Sequence, residues 1–355
     1  MSSPKSRPAP TVVRLGDLSS IAVAVEHMVG FRPTESLVAI ALCGPRERMG
    51  FSLRLDLPAE QDGDEVVGAI AAEVGRRMVF AKADAVMLFV YTAEPPADGF
   101  LPHRSLVDAV ELEIGAPLRE AALVTADRMW SYVCDDSRCC PPEGRPIDRQ
   151  SPDAVKLAAE HALLGNVVLG SRDELLASVW PIGGIAAESM RQAQDRAVDA
   201  MLDLGVVAFS ADVEAELDGL VDRFVDPRAT VSDDEAARVT IALSDKLLRD
   251  QLLVRLSDPD AEALRRLLTA VARRAQPHDD AAVSTLVGYA AYVDGSGLIA
   301  SAAFDRALQS DPDYVMAQYL DTMLQNQVSP DEVRECGLGS AGAVARMSRS
   351  RRRRR

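Results

Sequence analysis

Long apolar runs are missing from this chain. The longest, Leu37–Cys43 and Ala85–Tyr91, are seven residues each, against roughly 20 for a helix that crosses a membrane, so no membrane association is expected. Lysine is nearly absent: Lys5, Lys82, Lys156 and Lys246 are the only four among 39 basic residues. Aromatic residues make up only 5%, too few to interleave with basic side chains as a platform for stacked bases. Cysteine is scarce as well, with five in 355 residues and three of them gathered in Cys134–Cys140. That usage excludes a disulfide-stapled secreted scaffold. Met1–Pro10 is Ser/Pro-rich and is not followed by the apolar stretch of a secretory signal. A cytoplasmic location is therefore expected.

What is present is an apolar content of 48% and a formal charge of −15. The first excludes a wholly disordered chain. The second makes the body repel nucleic acid and anionic lipid. The length allows two domains at roughly 150 residues each.

The first half reads as an α/β domain with a mixed sheet and helices packed on it. A helix is predicted over Leu18–Val29, with Gly30 at its C′ position, Phe31 supplying the apolar contact beyond it and Pro33 preventing continuation. Leu37–Leu42 is a strand covered on both faces. The alternation of Phe51, Leu53, Leu55 and Leu57 with Ser52, Arg54 and Asp56 predicts a half-exposed strand paired to it. Val66, Ile70, Val74 and Met78 then fall at helical spacing. Ala85–Tyr91, a helix through Leu106–Ile114, and strands at Ala121–Thr125 and Met129–Val133 complete the order α-β-β-α-β-α-β-β.

Prolines crowd the stretch from Cys139 to Pro152, which marks the expected boundary. The division runs as a disordered lead-in at 1–14, a sheet domain at 15–145, an all-α domain at 146–340 and a disordered arginine-rich tail at 341–355. Four tripeptides, at Ser151, Asp258, Asp311 and Ser329, each place a capping oxygen before Pro-Asp and predict helix starts. Ser232 with Glu235 forms a capping box. Gly165, Gly205 and Gly337 are expected to stop helices. Val287, Gly288, Ala300, Phe304, Ala307 and Pro312 carry the spacing of one tetratricopeptide-like hairpin, without further repeats. Such a helical half is a candidate surface for a protein or peptide partner.

Three sets of residues are candidates for chemistry. Cys134, Cys139 and Cys140, with Asp135 and Asp136, follow a strand end where α/β proteins place function. Thiolates select zinc or iron–sulfur centres, and a closed zinc site takes four ligands. The fourth would come from Asp135, Asp136, His161 or Cys43. Neighbouring Cys139 and Cys140 are expected to diverge from a single ion, which leaves a redox pair or plain structural cysteines as alternatives. The second set is Arg32, Ser36, Arg54 and Asp56, where two guanidiniums near a carboxylate would clamp a phosphate or acidic ligand, or merely form a surface ion pair. The third is the arginine tail, Arg351, Arg352, Arg353, Arg354 and Arg355, the one segment suited to nucleic acid. No H-E-x-x-H, G-x-S-x-G or Walker A motif occurs. Gly337–Gly342 spells G-x-G-x-x-G but follows a helix and lacks the βαβ setting that motif needs.

Several segments together resemble an actinobacterial family catalogued as a domain of unknown function. They are Gly30-Phe31-Arg32-Pro33 with Ser36-Leu37-Val38, Arg54-Leu55-Asp56-Leu57-Pro58, Trp130–Gly144 with its Cys-Cys-Pro-Pro-Glu-Gly, and Gly295–Tyr314. The resemblance implies a cytoplasmic bacterial protein of this architecture and brings no activity or catalytic residues. The residues themselves favour a non-catalytic binding or adaptor protein over an enzyme or sensor built on the cysteine loop, and both over a nucleic-acid protein.

Overall fold

The computed structural model describes residues 18–59, 61–97, 99–163 and 168–352, with side chains at 161–163 and 352 left aside. The chain divides into two units, Met1–Arg172 and Asp173–Arg355.

The first unit is a six-stranded mixed sheet flanked by helices. Its elements are α1 (Leu18–Val29), β1 (Ser36–Cys43), β2 (Arg48–Asp56), α2 (Asp64–Phe80), β3 (Ala85–Tyr91), α3 (Arg104–Glu113), β4 (Leu118–Val124), β5 (Arg128–Ser131), β6 (Arg145–Pro146) and α4 (Pro152–Leu163). The strand order is β2-β1-β3-β4-β5-β6. Only β3 and β4 run parallel, joined by the crossover through α3, and the other neighbours are antiparallel. Every residue of β3 is buried, and β1 is buried up to Leu42, because both sheet faces are covered. Leu37, Ala39, Val86, Leu88 and Leu123 face α2 and α3. Val38, Ile40, Met87, Phe89 and Val124 face the side that holds α1 and Ala154 of α4. That alternation inside continuous apolar runs is what a doubly covered strand requires.

The unit boundary falls well after residue 145, where the proline-rich stretch predicts it. Arg145–Pro146 adds a sixth strand, and α4 packs with α1 in the sheet unit. A two-residue strand carries too little periodicity to be read from sequence.

The second unit is helical throughout: α5 (Arg172–Ala177), α6 (Ile185–Leu204), α7 (Val206–Arg223), α8 (Asp233–Ala242), α9 (Lys246–Leu256), α10 (Glu262–Arg274), α11 (Ala281–Val293), α12 (Gly297–Ser310), α13 (Val315–Gln325), α14 (Pro330–Gly339) and α15 (Ala341–Arg352). Helices α11 and α12 form the hairpin read from sequence, and they approach so closely that a Cβ on Gly288 would overlap the Phe304 ring. Ser329 and Ser232 both head capping boxes. The four Pro-Asp tripeptides behave in two ways. The two that begin with serine start helices, α4 and α14. In the other two, the Asp258 and Asp311 carboxylates accept the N–H two residues on, at 2.9 and 3.0 Å. Those Asx turns delay the next helices to Glu262 and Val315.

Gly205 does cap α6, and Gly165 lies outside the described residues. Gly337 is inside α14 instead of ending it, at a place where a side chain would strike the Tyr289 and Ser257 hydroxyls. The segment 341–352, expected to be disordered, is helix α15. Among the described residues, no helix is long and apolar enough to cross a membrane.

Candidate functional site

The cysteine loop leaves the end of β5 and returns to β6 under a set of backbone ties. The Ser131 hydroxyl accepts the N–H groups of Val133 (3.2 Å) and Cys134 (3.0 Å) and donates to Glu120 Oε1 (2.6 Å). Burial raises the Glu120 carboxyl above its ordinary range. On the far side, Trp130 Nε1 donates to the Pro142 carbonyl at 2.9 Å, and Arg128 Nη1 donates to those of Glu143 and Gly144 at 2.8 and 3.0 Å. Gly144 has φ +77, and a Cβ there would overlap the Trp130 indole. The sequence needs glycine at this return for both reasons.

Within this frame the Sγ atoms of Cys134, Cys139 and Cys140 all lie within 4.8 Å of one another. The expectation that Cys139 and Cys140 would diverge is thus corrected. The N–H groups of Cys139 and Cys140 both bond to the Asp136 carbonyl, at 2.9 and 2.7 Å. The chain therefore wraps as a single helical turn. None of the three thiols is in a disulfide. Burial, and then the two neighbouring thiols, push Cys140 up to about 12.

The predicted fourth ligands do not join them. Asp136 is taken by Arg138, whose backbone N–H and Nη2 both reach it at 2.9 Å; that guanidinium holds Asp136 below its usual value. Asp135 is outside the cluster. Cys43 ends β1 beside Gly50 of β2, and the His161 side chain is outside the described residues. Among the described residues the set is the three thiols alone.

The second candidate set is divided. Arg54 Nε donates to Ser36 Oγ at 2.9 Å, Ser36 Oγ donates to the Thr34 carbonyl at 2.6 Å, and Arg54 Nη2 pairs with Asp56 at 2.6 Å. These three pair with one another. Arg32 is elsewhere, because its backbone and that of Gly30 are lashed to Leu169 (3.2 and 2.9 Å). Its Nε lies 3.6 Å from the buried carboxylate of Glu26. Glu26 also accepts Arg149 Nη2 at 2.7 Å and Nε at 3.2 Å. A cavity of about 400 Å³ opens beside these residues, with Val23, Ala154 and Leu169 in its wall.

Sequence reasoning missed Glu26 and Arg149. The available signal was a lone carboxylate on the apolar face of α1, four residues after Ala22 and one after Val25, where a charge needs a partner.

The arginine tail is partly spent within the fold. Arg351 Nη2 donates to Asp245 at 3.0 Å, and Asp245 itself caps α9 through the Leu247 N–H. The Arg352 side chain and Arg353, Arg354 and Arg355 lie outside the described residues.

Residues 19–331 match the family described as "Domain of unknown function (DUF4192)". The chain belongs to this family. The match takes in the whole sheet unit from α1 onward, the cysteine loop, and the helical unit into the first turn of α14. No curated protein and no solved structure gives a match. The site of this DUF4192 protein is therefore read from its own geometry.

Proposed function

We propose that this protein is a metal-binding protein of the bacterial cytoplasm, in which Cys134, Cys139 and Cys140 hold a thiophilic ion, zinc foremost. The observation that carries the reading is the convergence of three thiols within 4.8 Å on a loop tied down at both ends. Tetrahedral zinc with bonds of about 2.3 Å sets its sulfurs about 3.8 Å apart, so modest side-chain rotations close the cluster around an ion. The fourth position falls to water or to a small exogenous ligand, as in zinc sites with three protein donors. Five cysteines without a disulfide fit a reducing compartment, in keeping with the actinobacterial, cytoplasmic setting that the resemblance implies.

Elemental mass spectrometry on untagged protein purified anaerobically tests this directly. About one zinc per chain is expected, lost in Cys134→Ser and in Cys139→Ser but retained in Cys43→Ser. Metal-free wild-type protein that takes up no added zinc would overturn the reading. Oxidation of Cys134 to a disulfide with Cys139 or Cys140 in preference to zinc uptake would replace it with a redox role.

A further inference from the structure

We propose that the cavity beside α1 and α4 in the sheet unit binds a small molecule that carries one carboxylate on a compact apolar body. The cavity, about 400 Å³, is within the range of small-molecule sites, which combine an apolar wall with a few convergent polar groups. Its polar edge holds two guanidiniums, Arg32 and Arg149, around a single carboxylate, Glu26, so the edge carries a surplus of one positive charge.

The two arginines are not equivalent. Arg149 is locked: it gives Nε and Nη2 to Glu26 and Nη1 to the Ala126 carbonyl at 2.9 Å. Arg32 is 61% exposed and only 3.6 Å from Glu26 through Nε. Its two terminal amino groups have no hydrogen-bond acceptor among the described residues. Glu26 with Arg149 thus forms a fixed, neutral floor, and Arg32 presents an unused planar fork of the shape that takes a carboxylate bidentately.

Beside that fork the lining holds the apolar Val23, Ala154, Ala158 and Leu169, together with the polar His27 and Gln150. The two backbone hydrogen bonds between Leu169 and the Gly30–Arg32 loop hold this wall in place. Wall and fork together ask for a ligand with an apolar body at one end and an anion at the other.

The test uses the full chain and amide NMR shifts of Leu169 and Gly170, titrated with hexanoate, hexanamide and acetate. Hexanoate is expected to give saturable shifts, with hexanamide and acetate each weaker by about tenfold, the size of one charge-assisted interaction or of the buried chain. Arg32→Gln is expected to abolish the preference of hexanoate over hexanamide. Ala158→Phe, at an exposed position where the ring would fill the cavity, is expected to abolish binding of all three. Arg54→Gln is expected to change nothing. Both pocket variants change exposed side chains, and an otherwise unaltered amide spectrum confirms that each is folded. Equal binding of hexanoate and hexanamide, binding that survives Ala158→Phe, or no saturable shift with any of the three overturns the proposal.

Discussion

Arg306 and Asp280 in the helical unit, and Glu26 with Arg149 and Arg32 in the sheet unit, are arginine–carboxylate clusters with opposite outcomes. The Arg306 and Asp280 side chains are 3% and 1% exposed. Arg306 gives Nε to Asp280 at 2.6 Å and its terminal nitrogens to the carbonyls of Val179 and Ala275. It thereby satisfies helix-end carbonyls that would otherwise be buried without donors. In the sheet unit the carboxylate is also buried, but one of its two arginines keeps donors to spare and lines a cavity. The same residue types therefore serve architecture where each guanidinium nitrogen has an acceptor within the fold and, on the proposal above, recognition where nitrogens are left over. Both candidate sites, the cavity and the cysteine loop, belong to the sheet unit.

The sharpest way to break this comparison is to remove one arginine from each cluster. Arg306→Met should cost the helical unit about 3–5 kcal/mol, because Asp280 is left charged and buried. Arg149→Met should cost the sheet unit less, about 1–3 kcal/mol, since Arg32 and solvent at the cavity remain near Glu26. The two tryptophans report separately in urea denaturation, Trp130 from the sheet unit and Trp180 from the helical one. Equal costs would erase the distinction between a closed and an open cluster.

Next in size is Gly144→Ala, where a positive φ and the Trp130 ring both oppose a side chain. A loss of about 1–3 kcal/mol is expected, with lower zinc occupancy, read from denaturation and metal content on the same sample. In the helical unit Ser232→Ala removes the cap of α8 and should cost about 1 kcal/mol. Its box partner Glu235 is held down from its ordinary value of 4.5 to about 2, chiefly by Arg223. A carboxyl with a depressed folded pKa contributes its full stability above the unfolded value and loses it below. Stability should therefore fall as pH drops from about 4.5 to about 2, and Glu235→Gln should flatten that fall in urea denaturation at stepped pH. The smallest effect belongs to Arg54→Gln, within about 0.5 kcal/mol, since Asp56 is an exposed partner.

Elements with strong periodicity were legible in the sequence. β1 and β3 are apolar runs bounded by turn residues, and α1 ends at the Gly30 that its pattern requires. The cysteine loop was legible as a concentration of thiols, but the convergence of Cys139 with Cys140 was not, because it depends on the shared Asp136 carbonyl acceptor. Arg32 was legible as a candidate and misplaced as to company: its neighbours Glu26 and Arg149 are set by tertiary pairing across 123 positions of sequence. The Asx turns at Asp258 and Asp311 were hidden by the resemblance of Asp-Pro-Asp to Ser-Pro-Asp, although a carboxylate reaches the second N–H where the serines do not. Helix α15 gave no warning because its outward face is arginine and its inward anchor is one valine, Val344, with Arg351 on Asp245.

Cys134, Cys139 and Cys140 are proposed to share one ion. Zinc K-edge X-ray absorption on the purified full chain measures this most directly. Three sulfur scatterers at about 2.3 Å with one lighter donor completing the shell are expected, falling to two sulfurs or to no bound zinc in Cys139→Ser. A zinc shell with fewer than three sulfurs, or one unchanged by Cys139→Ser, would contradict it.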